Sequence, residues 1–273
     1  NNMRDLRIIF MGTPEFAVES LKYLHKAGFN IVGVITAPDK PRGRGQKIAF
    51  SPVKEYAVEN NMPVLQPTNL KSPGFIEELR SYAANLQVVV AFRMLPEVVW
   101  SMPEYGTLNL HASLLPHYRG AAPINWAIIN GEKETGVTTF FIKHEIDTGS
   151  IIMQEKEPVL DTDDAGSLYE RLMNKGAGLV VKTVLAIQKN EYTLKPQTAE
   201  GELKHAPKIF KEDCEINWNK ESIKVRDFIR GLSPYPGAWT VFNENMFKIY
   251  GAKILTRDAF GKPGEFETNG KDC

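Results

Sequence analysis

The first apolar run of the chain is Leu6-Arg7-Ile8-Ile9-Phe10-Met11, broken only by Arg7 and closed by Gly12. A short run of this kind predicts a buried strand. After Thr13-Pro14 the period changes, and Phe16, Ala17, Leu21 and Leu24 recur near helical spacing until Gly28. That pattern predicts a helix with Thr13 as N-cap and Pro14 in its first turn. Ile31-Val32-Gly33-Val34-Ile35 predicts the second strand, and Leu86–Ala91, Gly106–His111, Val137–Ile142 and Ile151–Glu155 predict four more. A long helical pattern runs from about Ala165 to Lys189. Strands alternating with helices in this way imply an α/β domain, Rossmann-like, around a mainly parallel sheet.

The pattern breaks at Lys195-Pro196-Gln197-Thr198-Ala199-Glu200-Gly201-Glu202, which has few apolar residues and reads as a linker. Beyond Ala206, a helix is expected over Ser222–Arg230 and strands over Trp239–Phe242 and Phe247–Lys253. The expected division is a first domain over 1–192, a linker over 193–207 and a smaller domain over 208–273.

Composition narrows the class. At 273 residues, 42% hydrophobic and 24% charged, the chain reads as an ordinary globular protein. Its formal net charge of zero argues against a protein permanently coated with nucleic acid, but leaves room for a local basic patch. Cys214 and Cys273 lie far apart without Cys-x-x-Cys spacing, so neither a disulfide framework nor a zinc site is indicated. There is no apolar run of bilayer length, and the polar start Asn1-Asn2-Met3-Arg4-Asp5 is no signal peptide. A reducing cytoplasm is the expected location.

Candidate chemistry gathers between Asn109 and Asp147. On a strand, Asn109 and His111 share a face while Leu110 turns to the other. An amide beside an imidazole, with a carboxylate from a later segment, suits acyl transfer to an amine. Asp147, in Ile146-Asp147-Thr148-Gly149, supplies the carboxylate; taken alone it reads as a turn residue. Ser113 lacks a Gly-x-Ser-x-Gly elbow, so it is no nucleophile candidate. Leu114-Leu115-Pro116 offers apolar walls for a flat heteroaromatic ligand. Arg119-Gly120-Ala121-Ala122-Pro123 puts small residues where a backbone approaches something closely, and Arg119 is a candidate substrate-orienting group. His25 and His205 are expected in solvent, and His117 and His144 as neighbours of the motifs. Asp161, Asp163 and Asp164 read as a solvated loop and helix N-cap. Gly12-Thr13-Pro14 lacks the Gly-x-Gly-x-x-Gly fingerprint, which argues against nicotinamide chemistry. Lys40, Arg42, Arg44 and Lys47 crowd a Gly- and Pro-containing loop after the second strand. Such a run is either a solvated loop or a phosphate-following one.

Asn109-Leu110-His111-Ala112-Ser113-Leu114-Leu115-Pro116, Arg119-Gly120-Ala121-Ala122-Pro123 and Ile146-Asp147-Thr148-Gly149 together resemble the folate-dependent formyltransferases. Met11–Ala17, Pro38–Gly45 and Ser233–Trp239 are similar to the branch of that family acting on methionyl-tRNA. The resemblance runs from about Leu6 to about Lys253. It implies catalytic roles for Asn109, His111 and Asp147, folate contacts from Ser113, Leu114, Leu115 and Pro116, and tRNA contacts from Lys40, Arg42, Arg44 and Lys47. It further implies 10-formyltetrahydrofolate as formyl donor, initiator methionyl-tRNA as partner, no metal, and no obligate protein or membrane partner. A β-barrel of the oligonucleotide-binding (OB) type is implied for the second domain. The family's version is longer, so the chain is expected to stop inside it; Gly270-Lys271-Asp272-Cys273 shows no closing strand pattern. One departure stands out: Ala91-Phe92-Arg93-Met94-Leu95-Pro96 is one residue shorter than the family's aromatic-glycine segment, with Arg93 a new polar wall of the pterin pocket. A small amine acceptor (a sugar nucleotide or glycinamide ribonucleotide) and a non-catalytic RNA- or folate-binding module remain as alternatives.

Overall fold

A computed structural model describes residues 2–258, 261–268 and 270–271. In chain order the elements are β1 (Ile8–Gly12), α1 (Glu15–Lys26), β2 (Ile31–Ile35), β3 (Lys40–Arg42), β4 (Lys47–Ala49), α2 (Pro52–Glu59) and β5 (Val64–Leu65). Next come α3 (Pro73–Ser81), β6 (Leu86–Val90), α4 (Glu97–Trp100), β7 (Thr107–His111), β8 (Arg119–Gly120), α5 (Pro123–Ile129) and β9 (Glu134–Phe141). The last are β10 (Ile151–Pro158), α6 (Ala165–Lys189), β11 (His205–Ala206), a 3₁₀ turn (Lys211–Cys214), α7 (Ser222–Gly231), β12 (Ala238–Phe242) and β13 (Asn245–Ile249).

The central sheet runs β10-β9-β7-β6-β1-β2-β5. From β5 to β7 every pairing is parallel, and β9 and β10 extend the sheet with antiparallel pairings. All five residues of β1 are buried, as a strand covered on both faces requires. Alternation splits them: Ile8 and Phe10 join Leu21, Leu24, Leu172 and Val180 under α1 and α6, while Ile9 and Met11 join Phe75, Leu79 and Val99 on the opposite face. Each such fully buried side chain contributes roughly 1.5–3 kcal/mol relative to exposure.

Local signals fix the helices. Ser51 and Ser72 cap α2 and α3, each accepting from the backbone N–H three residues on. Asp164 and Ser167 form a reciprocal capping box at the start of α6, at 2.8 and 3.1 Å. The start of α1 differs from expectation. Pro14 occupies the capping position with no side-chain bond, and Thr13 Oγ1 instead accepts from the Ala37 N–H at 3.3 Å. Proline's fixed φ starts the helix without a capping hydroxyl, and Thr13 ties the turn to the end of β2. Gly12 is dictated by space, because a Cβ there would lie 2.6 Å from Ala17 Cβ and 2.7 Å from Val90 O.

The segment expected as a linker is laid against the first domain. Lys195 and Ile151 exchange backbone hydrogen bonds at 2.8 and 2.9 Å, and β11 pairs in parallel with β8. Beyond it, Cys214, Ile216, Ile229, Leu232 and Ala238 form a small core, with α7 packed on α5. Asn125 Nδ2 donates to Gly231 O at 2.9 Å across that contact. The expected strand over Phe247–Lys253 runs instead from Asn245 to Ile249, after a turn in which Asn243 and Glu244 both take positive φ. Two consecutive positive-φ residues fit the tight hairpin turn whose twist matches its strands. Among the described residues this region contributes one two-stranded ladder, β12–β13. Cys214 is buried and unpaired, burial pushing its thiol up; Cys273 lies outside the described residues. Among the described residues no helix is long and apolar enough to cross a membrane.

Candidate active site

The parallel strands deliver the site at their C-terminal edge, where open α/β sheets leave room for ligands. β7 ends on His111, which pairs with Thr138 of β9. Two residues earlier, Asn109 is half-buried and its amide makes no hydrogen bond with another described residue. The His111 ring is buried, with Nε2 2.7 Å from Tyr118 O. A carbonyl only accepts, so this contact places a proton on Nε2 and leaves Nδ1 as the working atom. Nδ1 faces Asp147 Oδ2 at 3.8 Å. That is beyond a direct hydrogen bond and within reach of ionic attraction whenever the imidazole is protonated.

Asp147 is held from two directions. Its Oδ2 accepts from the Gly120 N–H at 3.0 Å, and its backbone carbonyl accepts from Gln197 Nε2 at 2.7 Å. Asp147 takes φ +55°, a left-handed conformation that costs a non-glycine residue energy and needs such support. Gly120 has φ +124°, and a Cβ on it would sit 2.4 Å from Ala206 O. The small residues after Arg119 therefore make way for β11, not for a ligand at that point.

The Ser113–Pro116 turn is internally saturated. Ser113 is fully buried, donating its hydroxyl to His117 O at 2.7 Å while its own carbonyl accepts from Thr138 Oγ1 at 2.6 Å. Thr138 Oγ1 accepts from the Leu115 N–H at 3.3 Å, and Gln154 Nε2 donates to Leu115 O at 2.9 Å. Leu115 is buried against Phe140 and Ile151, and the Leu115–Pro116 bond is cis. Leu114 and Pro116 stay half-buried and present apolar surface. Arg119 donates from Nε and Nη2 to Gln197 Oε1 at 3.1 and 2.9 Å. Arg93, expected as a polar wall, donates to the backbone carbonyls of Pro67 and Thr68 at 2.8 and 3.2 Å. His144 is exposed, 3.5 Å from Glu97 and edge-on to Trp100.

Two residues of this site escape sequence reasoning. Tyr118 holds His111 through its carbonyl, with φ +61° and its phenol donating to Glu132 at 2.7 Å; burial and Glu132 push that phenol well above its ordinary range. Gln197, within the expected linker, reaches back over Asp147. Nothing in the local pattern around either residue marks it.

The basic segment is a hairpin rather than a loop. β3 and β4 pair Lys40 with Ala49, Pro41 with Ile48 and Arg42 with Lys47. The alternation puts Lys40, Arg42 and Lys47 on one face and Pro41 and Ile48 on the other, with Arg44 at the tip. All four cations are exposed, and none pairs with a carboxylate among the described residues. At the base, Asp39 accepts from Lys54 Nζ at 2.7 Å and Gln66 Nε2 at 2.8 Å, and these bonds hold its carboxyl below the ordinary range. β2, which leads into the hairpin, lies three strand spacings from β7, about 14 Å along the same edge. A cleft of about 470 Å³ lined by Arg4, Trp100, Tyr105, Phe141 and Tyr192 lies at the other end of β7 and lacks His111. Among the described residues, no group of three or more His, Cys, Asp or Glu side chains is placed to hold a metal ion.

The chain matches a known family. The family model for formyl transferases matches residues 6–184, and that for the formyl transferase C-terminal domain matches 208–272. The methionyl-tRNA formyltransferase of Bacteroides fragilis is 55% identical over 98% of this chain and 85% of its own length. That of Phocaeicola vulgatus is 62% identical over 87% of this chain and 75% of its own. An N-formyltransferase from Helicobacter canadensis, solved with folinic acid and dTDP-3-aminofucose, superposes with a TM-score of 0.69. It is 25% identical and aligns over 96% of this chain and 93% of its own. With identities this high over nearly the whole chain, the protein belongs to the formyl transferase family and, within it, to the methionyl-tRNA formyltransferases.

Proposed function

We propose that the chain moves the formyl group of 10-formyltetrahydrofolate to the free amine of initiator methionyl-tRNA, in the cytoplasm, with Asn109, His111 and Asp147 carrying the reaction. The observation that supports this most is the pairing of a fixed imidazole tautomer with an unengaged amide. Tyr118 O holds the proton on His111 Nε2, so Nδ1 looks towards Asp147, and Asn109 keeps its N–H groups free on the same strand face.

The amine lone pair attacks the formyl carbon, and the C=O electrons move to oxygen as the tetrahedral intermediate forms. Asn109 donates a hydrogen bond to that oxyanion, and the His111 imidazole helps to stabilise it. Collapse restores the carbonyl and breaks the bond to the folate nitrogen, which takes up one proton while the incoming nitrogen loses one. Asp147 relays that proton and orients the imidazole as the oxyanion develops. Leu114 and Pro116 wall the flat folate rings, on the frame that Ser113 and Leu115 hold, and Arg119 orients the acceptor with the N–H groups not taken by Gln197. Lys40, Arg42, Arg44 and Lys47 meet the tRNA phosphates. The region from residue 208 is assigned to an OB-type barrel that includes β12 and β13.

The test is a parallel assay of purified protein with one formyl donor and three acceptors: methionyl-tRNA, an amino-sugar nucleotide and glycinamide ribonucleotide. Turnover with methionyl-tRNA in large excess over the small amines is expected. Preference for a small amine, or ligand binding without turnover, would overturn the assignment.

A further inference from the structure

The structure assigns Gln197 as a positioning residue for the Asp147 carboxylate, an inference that rests on Asp147 being the proton-relaying group. A glutamine amide offers two N–H donors and a carbonyl with two acceptor positions, and here all four are engaged. Nε2 donates to Asp147 O at 2.7 Å and Gly149 O at 2.8 Å, while Oε1 accepts from Arg119 Nε and Nη2 at 3.1 and 2.9 Å. Carbonyls only accept and a guanidinium only donates, so one orientation of the amide satisfies the set.

The contacts close a ring. Arg119 holds Gln197, Gln197 holds the backbone of Asp147, and Asp147 Oδ2 returns to the N–H of Gly120, next to Arg119 in sequence. The ring fixes a residue in the left-handed region, and Gly149 beyond it is pressed so closely on Phe141 O that a Cβ would overlap that atom. Gln197 is itself placed by the Lys195–Ile151 bridge on one side and the β8–β11 pairing on the other. Breaking the clamp frees the turn that aims Asp147 at His111 Nδ1, without removing any group that meets substrate. A misplacement on the order of 1 Å in a catalytic group costs up to about a hundredfold in rate.

The experiment is a double-mutant cycle on the full chain. Gln197→Met keeps the length of the side chain and removes its polarity. Gln197→Glu keeps an acceptor for Arg119, removes both donors, and carries the test should the Met variant not fold. Both are expected to lower kcat by about tenfold to a hundredfold, with KM for donor and methionyl-tRNA within about threefold. In an Asp147→Asn background the same changes should cost less than about twofold more, because the carboxylate they aim is gone. An equal fold-loss in both backgrounds, or unchanged kcat in the single variants, would overturn the assignment. Near-normal turnover by Asp147→Asn alone would instead remove the reading of Asp147 on which it stands, and the assignment with it.

Discussion

At the C-terminal edge of the sheet, β7 hands its last residue to a turn in which nearly every polar group is engaged. β2, three strands away, runs into a hairpin whose four cations have no carboxylate partner among the described residues. In the first region Ser113, Thr138 and Gln154 tie the turn together through His117 O, Ser113 O and Leu115 O, while Tyr118 O holds His111 and Gln197 holds the backbone of Asp147. Among the described residues, the Asn109 amide has no hydrogen-bond partner there, and His111 Nδ1 has only Asp147 nearby, at 3.8 Å. In the second, only the base is fixed, through Asp39, and the charged face stands in water. The difference suits the two tasks proposed for these regions. Charge developing on one oxygen needs donors fixed before the reaction, whereas a phosphate backbone is met by cations that need no single geometry.

The contrast breaks most sharply at His111. His111→Ala removes the imidazole proposed to stabilise the oxyanion and should lower kcat by about a hundredfold to ten-thousandfold, with donor affinity within a few-fold. Steady-state kinetics with equilibrium folate binding on the same variant separate the two. A parallel fall in binding and turnover would make His111 a binding residue and dissolve the contrast. Asp147→Asn should cost somewhat less, about a hundredfold or more, because the amide keeps the Gly120 contact but lacks the proton-carrying charge. Activity near the parent level across neutral pH would return Asp147 to a turn residue.

How much of this the sequence holds differs between the regions. The parallel sheet is legible because buried strands write themselves as apolar runs, and six expected strands lie within a few residues of β1, β2, β6, β7, β9 and β10. The long helix runs from Ala165 to Lys189 as expected, since Asp164-x-x-Ser167 is a cap visible in the letters. His111 and Asp147 lie 3.8 Å apart and Asn109 stands two residues before His111 on β7, yet what holds His111 and Asp147 is not local. The Tyr118 carbonyl and the Gln197 amide act through tertiary contacts, and a carbonyl has no sequence signature. The hairpin reads as a loop because its three-residue strands, Lys40-Pro41-Arg42 and Lys47-Ile48-Ala49, are too short to show a hydrophobic alternation. Thr13 has the letters of a cap, but Pro14 starts the helix unaided.

On the hairpin side, Arg42 and Arg44 replaced together by Ala should raise KM for methionyl-tRNA several-fold and leave kcat and folate affinity close to parent. Each phosphate that is no longer neutralised lowers the salt slope by about 0.7–0.9, so the pair should flatten it by roughly 1.4–1.8. Titrating salt from low to physiological ionic strength in the kinetic assay reads this directly. A fall in kcat with an unchanged slope would place the hairpin among the catalytic parts and erase the division of labour.

The smallest effect should come from the base of the hairpin. Asp39 is ionised through the whole working range, because hydrogen bonds from Lys54 and then Gln66 hold its carboxyl below the ordinary value. Its contribution is present above that ordinary value and disappears only as pH falls through the depressed one, so near-neutral assays see it in full. Asp39→Asn keeps an acceptor for Gln66 but sets an uncharged amide against Lys54 Nζ, loosening the angle at which β3 leaves the sheet. This half-buried pair sits at the base of the hairpin and carries none of its four exposed cations, so KM for methionyl-tRNA should rise by no more than a few-fold. The salt slope should stay at the parent value, since no phosphate-facing cation is removed. Slope and KM therefore separate the two hairpin variants: Arg42 and Arg44 change both, Asp39 changes KM alone. Should Asp39→Asn flatten the slope as well, the clamp at the base would be part of the phosphate-binding face rather than its support.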